Sequence, residues 1–143
     1  MATTFRHDIV AGLVTMLNTV KTANPQLLLA VYPARPEGFP DLPAAFIDGR
    51  PEAVKQDQGT RTRLMAPSIV IIRRITNNAE AMAAFDVLVD LVCDAITANP
   101  QFATGTMHSG DFTIADEDAP FGDYDFAAVR FTLGNVSIME GRI

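Results

Sequence analysis

The string Thr-Ala-Asn-Pro-Gln occurs twice, at residues 22–26 and again at 97–101, and each copy closes a run of helical periodicity. Those two runs limit what the rest of the chain can become. In the first, from about Thr4 to Ala23, Phe5, Ile9, Leu13, Met16, Leu17 and Val20 recur at spacings of three and four, along one face of a helix. Gly12 weakens that helix slightly. In the second, from about Asn78 to Ala98, Met82, Phe85, Val89, Val92 and Ile96 form the same stripe, widened by Leu88, Leu91 and Cys93. Asn77 followed by Glu80 has the form of a capping box. Proline disfavours helical geometry in the residue before it, so Asn24-Pro25 and Asn99-Pro100 stop the two helices. Shared stopping chemistry accounts for the repeat. An internal duplication is the alternative, supported by one further match, Leu13-Val14 with Leu88-Val89.

The remainder reads as strand and loop. Residues 26–32 and 44–48 are short apolar strands, separated by a passage from Pro33 to Pro43 that holds four prolines and so reads as an extended loop. Residues 49–60 are polar, with Gly49, Pro51 and Gly59, and fit either a loop or a projecting hairpin arm. Arg61 to Thr76 reads as one long β-branched strand, with Pro67 marking a bulge or an edge. Residues 102–107 and 112–115 are short strand candidates. Asp116 to Asp123 reads as an acidic loop, and Tyr124 to Met139 as a second long strand with a bulge at Gly134. The order predicts an α+β fold, a mostly antiparallel β-sheet with two amphipathic helices packed on one face. Phe85, Val89, Val92 and Ile96 are the expected contacts of the second helix with that sheet. A chain of 143 residues supports one core and is expected to form a single domain over 1–143.

Composition removes several function classes. The net charge of −6 is wrong for gripping phosphate backbones. No apolar run reaches the ~20 residues of a membrane helix. The first residues lack the basic and apolar regions of a secretory signal, and one cysteine allows no internal disulfide, so synthesis in a reducing cytoplasm is expected. Catalytic signals are few. Cys93 lies on the apolar stripe, where a thiol away from positive charge is inert. His108, in Met107-His108-Ser109-Gly110-Asp111, has triad letters but no nucleophile-elbow context and reads as a solvated turn. The acids Asp116, Glu117, Asp118, Asp123 and Asp125 lack calcium-loop spacing. No catalytic residue, cofactor site or metal site is expected.

Charge is unevenly distributed. Six of the eleven basic residues are Arg50, Lys55, Arg61, Arg63, Arg73 and Arg74, whereas residues 75–129 hold ten acids and no Lys or Arg. Asp86, Asp90 and Asp94 share one face of the second helix, each pair mildly repulsive. Two unlike surfaces on one small body suit heterologous, head-to-tail contacts. Arg50, Lys55, Arg61 and Arg63 are therefore expected to meet Asp86, Asp90 and Asp94, or the acidic stretch Asp116–Asp125, on a neighbouring copy.

The sequence resembles the tail terminator (tail completion, or tail-to-head joining) proteins of long-tailed bacteriophages. The resemblance spans almost the whole chain. It rests on the N-terminal helix ending at Asn24-Pro25, the short strand 27–32, Pro43-Ala44-Ala45-Phe46-Ile47, the Gly59-Thr60-Arg61-Thr62-Arg63 turn, the helix with Leu88-Val89-Asp90-Leu91-Val92, and the closing strand from Tyr124. It implies a non-enzymatic structural protein of the virion, at the head–tail junction. Such proteins form a ring, usually of six subunits, that caps the tail tube protein, ends its polymerisation and offers a joining surface to the head-completion or connector protein. DNA passes through the lumen without specific binding, which an acidic lumen suits, and no membrane is involved. The alternatives are a neighbouring head-completion or connector protein of the virion and a small intracellular adaptor domain. A small enzyme using His108 is the third reading.

Overall fold

The computed structural model describes residues 5–38, 41–49, 51–75, 77–99, 101–102, 106–108, 110–121 and 124–142. Its elements are α1 (Phe5–Ala23), β1 (Ala30–Tyr32), β2 (Ala44–Asp48), β3 (Glu52–Asp57), β4 (Thr60–Met65), β5 (Ser68–Arg74), α2 (Ala79–Ala98), β6 (Thr106–His108), β7 (Phe112–Phe121), β8 (Tyr124–Leu133) and β9 (Val136–Arg142). The α+β expectation holds.

Both helices end as their shared string predicts. Asn24 donates its side-chain amide to the Val20 carbonyl at 3.1 Å and its backbone N–H to the same oxygen at 2.9 Å. Asn99 donates its amide to Ala95 at 2.5 Å and its N–H to Ile96 at 3.2 Å. In each case asparagine takes up the orphan carbonyls of the last turn. At the start of α2 the cap is Asn78, one residue later than the capping-box reading. Its side-chain oxygen accepts from the N–H groups of Glu80 at 2.9 Å and Ala81 at 3.2 Å. Gly12 has a packing reason that periodicity does not reveal. A Cβ there would stand 1.5 Å from the Phe102 carbonyl oxygen, so the chain leaving α2 presses its backbone onto α1.

The strands form two sheets of matching order. One runs β1-β2-β5-β8-β7 and the other β3-β4-β9-β6. All pairings are antiparallel except β1 with β2. Each of β2, β5, β8 and β7 continues, across a short break, into or out of β3, β4, β9 and β6 respectively. The four breaks lie along one line. The Ala66 N–H donates to the Pro51 carbonyl at 3.1 Å, Leu133 to Pro67 at 3.0 Å, and Gly134 to Asp111 at 2.7 Å. The two sheets are therefore one four-stranded ribbon creased across its width. The two strands expected to run unbroken from Arg61 and from Tyr124 each divide at this crease. Pro67 cannot donate to a ladder, and Gly134 falls at the corresponding place in the neighbouring strand.

Two further expectations are revised, and one left open between two alternatives is decided. Residues 25–27 form a turn and 28–29 no regular element, leaving a strand of three residues, Ala30–Tyr32. Residues 49–60 supply an arm, β3 paired with β4 through Gln58 and Gly59, both at positive φ of 49° and 82°. That is the two-residue turn whose twist suits a hairpin, and glycine takes the second position without steric cost. The acidic stretch from Asp116 is strand, not loop. β7 runs through Phe121 in unbroken register with β8, because a long apolar partner strand outweighs the weak β-propensity of the acids.

The larger core lies between the helices and one face of the sheets. Ile9, Leu13 and Leu17 of α1 and Phe85, Leu88, Val92 and Ile96 of α2 meet Ala45, Ile47, Ile69, Ile71, Val129 and Phe131. Val89 and Cys93 are half-buried against the same cluster. The alternate residues Ala44, Phe46, Val70, Ile72 and Ala128 form a second cluster on the opposite face, covered in part by Leu42 from the proline-rich passage. Both faces of the central strands are thus buried.

Candidate assembly interface

The basic and acidic surfaces expected from the sequence lie on different elements. Lys55 is exposed on β3. Arg61 and Arg63 are half-buried on β4, and Arg50 lies outside the described residues. Arg63 is engaged within its own chain. It donates to Glu52 at 2.5 Å and its guanidinium sits 5.1 Å over the Phe5 ring. Arg6 of α1 also donates to Glu52. Burial works to raise the Glu52 carboxyl, but the hydrogen bonds from Arg63 and Arg6 outweigh it and hold the group below the usual carboxylate range. This cluster anchors the base of the arm to the start of α1, so of the three described basic residues Lys55 is the one presented outward.

Asp86, Asp90 and Asp94 are all exposed along α2, as their four-residue spacing predicts. Asp116 is exposed on β7, while Glu117 is held by Arg130 of β8. Arg130 donates from Nε to Glu117 at 3.0 Å and from Nη2 to Asp48 at 2.9 Å. The hydrogen bond to Glu117 raises the guanidinium pKa above its ordinary value, against the pull of burial, with Asp48 adding to it. The structure brings Asp86 and Asp116 to one place. A groove of about 590 Å³ runs between α2 and the β7–β8 pair, its charged lining being Asp86, Asp116, Glu117 and Arg73 beside the apolar Ile114 and Val129. Asp90 and Asp94 are absent from its lining.

Sequence reasoning missed this groove because it took Asp116 for a loop residue. The signal that finds it is the alternation of Ile114 and Asp116 with Thr113 and Ala115, read together with the apolar strand that follows. Gln58-Gly59 between two alternating runs was likewise a readable hairpin signal.

His108 is not in a solvated turn. It lies in β6, only 8% exposed, with its ring 5.2 Å from that of Phe102. Burial pushes its imidazole below the ordinary histidine range, opposed by a hydrogen bond with the Asp111 backbone and by the Asp111 charge. Among the described residues its buried Nε2 has no hydrogen-bond partner. Ser109 lies outside the described residues. No helix among the described residues is long and apolar enough to cross a membrane.

A creased, mostly antiparallel ribbon with two helices on one face defines a small α+β fold among the described residues. No protein-family model and no curated protein matches the sequence. Among solved structures, the fold is similar to a chain of the virion of a native gene transfer agent particle. The TM-score is 0.58 at 20% identity, covering 92% of this chain and 94% of that one.

Proposed function

We propose that this chain is a non-enzymatic structural protein of a phage-like virion, and that it acts as a tail terminator. Copies form a ring on the finished tail tube, end its growth, and present a surface to the head-completion protein while DNA passes through the lumen unread. The observation that carries this reading is the whole-length likeness of its fold to a chain of a virion particle. The segregation of charge supports it, because unlike patches on one subunit favour head-to-tail rings over two-fold dimers.

The decisive experiment has two parts. Light scattering after gel filtration, at several concentrations, is expected to show a discrete ring species. Addition of that species to polymerising tail tube protein is expected to stop elongation. A chain that stays monomeric at every concentration and leaves tube growth unchanged overturns the proposal. A ring that binds the head connector but leaves tube growth unchanged favours a head-completion role.

A further inference from the structure

We infer that copies of this chain join by strand addition, the β3 edge of one copy pairing its backbone with the β7 edge of the next. The inference rests on the ring reading above and names the surfaces that make the ring.

Each sheet has two edges, β1 and β7 in one, β3 and β6 in the other. β1 and β6 are three residues long, whereas β7 has ten and β3 six. Short edges are blunted, and long ones are open templates for another strand. Over 112–115 β7 carries neither charge nor proline, and its acids and proline begin only at Asp116. It pairs with β8 without a bulge, contains no lysine, and exposes Thr113, Ile114, Ala115 and Asp116.

The direction of the unpaired groups follows from the ladder. Leu133 donates its N–H to Pro67, away from β7. In antiparallel pairing the hydrogen-bonding side alternates along the strand. Phe112 opposite Leu133 is therefore a non-bonded pair, as are Ile114 with Phe131 and Asp116 with Val129. The backbone groups of Ile114 and Asp116 point out of the sheet edge. Pro120 belongs to the same outward series, where its missing N–H costs the ladder nothing. The two-residue turn makes Asp57 and Thr60 a bonded pair, so on β3 the outward residues are Val54 and Gln56.

Side chains and topology agree with the match. Val54 is 55% exposed and Ile114 45%, so each edge offers an apolar residue that the monomer leaves in water. Ile114 and Asp116 also line the groove under α2, next to where an added strand would lie. Lys55 on β3 is exposed, and the groove carries Asp86, Asp116 and Glu117 against a single base, Arg73, with Glu117 already held by Arg130. β3 and β7 lie on opposite sides of the creased ribbon, because β3 is on the β2 side and β7 is continuous with β6. A contact between opposite sides repeats from copy to copy, which is what a ring requires and which closes when the rotation per copy is a whole fraction of a turn, whereas a contact of one edge with itself stops at two.

Hydrogen exchange on the full chain, dilute and assembled, tests this. The Ile114, Asp116, Val54 and Gln56 amides are expected to exchange fast when dilute and roughly tenfold or more slower when assembled. The Thr113 and Ala115 amides, already bonded to β8, are expected to change far less. Ile114→Pro removes one outward N–H and is expected to abolish assembly. Because that variant risks the monomer fold, the exchange pattern of the unaltered protein is the deciding measurement. A ring whose four outward amides exchange as in the dilute protein overturns strand addition and leaves the ring reading standing. Absence of any assembly overturns strand addition between copies, and together with unchanged tube growth it overturns the ring reading as well.

Discussion

At the scale of single residues, two positions behave differently from their sequence appearance. Gly12 looks like a mild flaw in α1, yet it is the only residue type that admits the Phe102 carbonyl at that distance. Gly12→Ala improves helix propensity by under about 1 kcal/mol and inserts a methyl into backbone, so a net loss of roughly 1–3 kcal/mol is expected. Urea titration measures it, and a stabilised variant would contradict the close approach. His108 reads as dispensable from its neighbours in sequence, but it is buried against Phe102. His108→Ala is expected to cost on the order of 2 kcal/mol at pH 7.5. The parent's stability should itself fall on acidification. Its folded-state imidazole has a lowered pKa, so below about 6.5 the unfolded chain binds the proton first. The gap between parent and variant should therefore narrow from pH 7.5 to pH 5. Denaturation midpoints over that range check the slope, and a gap that widens on acidification refutes the burial argument.

At the scale of elements, α2 is held by Phe85, which is buried at the helix–sheet contact with the Arg73 guanidinium 5.1 Å from its ring centroid. Phe85→Ala is expected to cost about 3–5 kcal/mol, and a thermal melt equal to the parent's would remove the assignment of that helix face. Such elements were legible because their signal is local. Spacings of three and four marked both helices, asparagine and proline marked their ends, and the β-branched run from Ser68 to Ile75 marked β5. β7 was not legible because its strand state comes from its partner. Asp116, Glu117 and Asp118 are poor strand formers alone, and the ladder to β8 overrides them. The crease was half legible. Pro67 and Gly134 announced local irregularity, but neither says that it marks the border between two sheets. For the same reason the basic and acidic residues were found in the sequence while the groove that gathers Asp86 and Asp116 was not. Arg63 shows the converse limit, since sequence counts its charge without seeing that Glu52 already takes it up.

At the scale of the whole molecule, charge is expected to tune how copies meet more than how firmly they hold. Lys55 is exposed on the arm, so Lys55→Glu should leave monomer stability within about 0.5 kcal/mol. It should slow ring formation at low salt, and the difference should vanish near 1 M, where screening shortens to about 3 Å. Stopped-flow light scattering gives the rates, and equal rates at low salt would detach the arm from the contact. The crease carries another consequence, for the order in which the molecule can be made. β8 and β9, from the last stretch of the sequence, occupy interior positions in both sheets, and Met65 waits for Val136 as Ser68 waits for Thr132. A chain still emerging from the ribosome can form the arm and the β2–β5 pair but cannot close either sheet. Closing the sheets is thus a late event governed by distant contacts, slow for so small a protein; the β3 edge can form early with the arm, whereas the β7 edge comes into being only when β8 pairs with it.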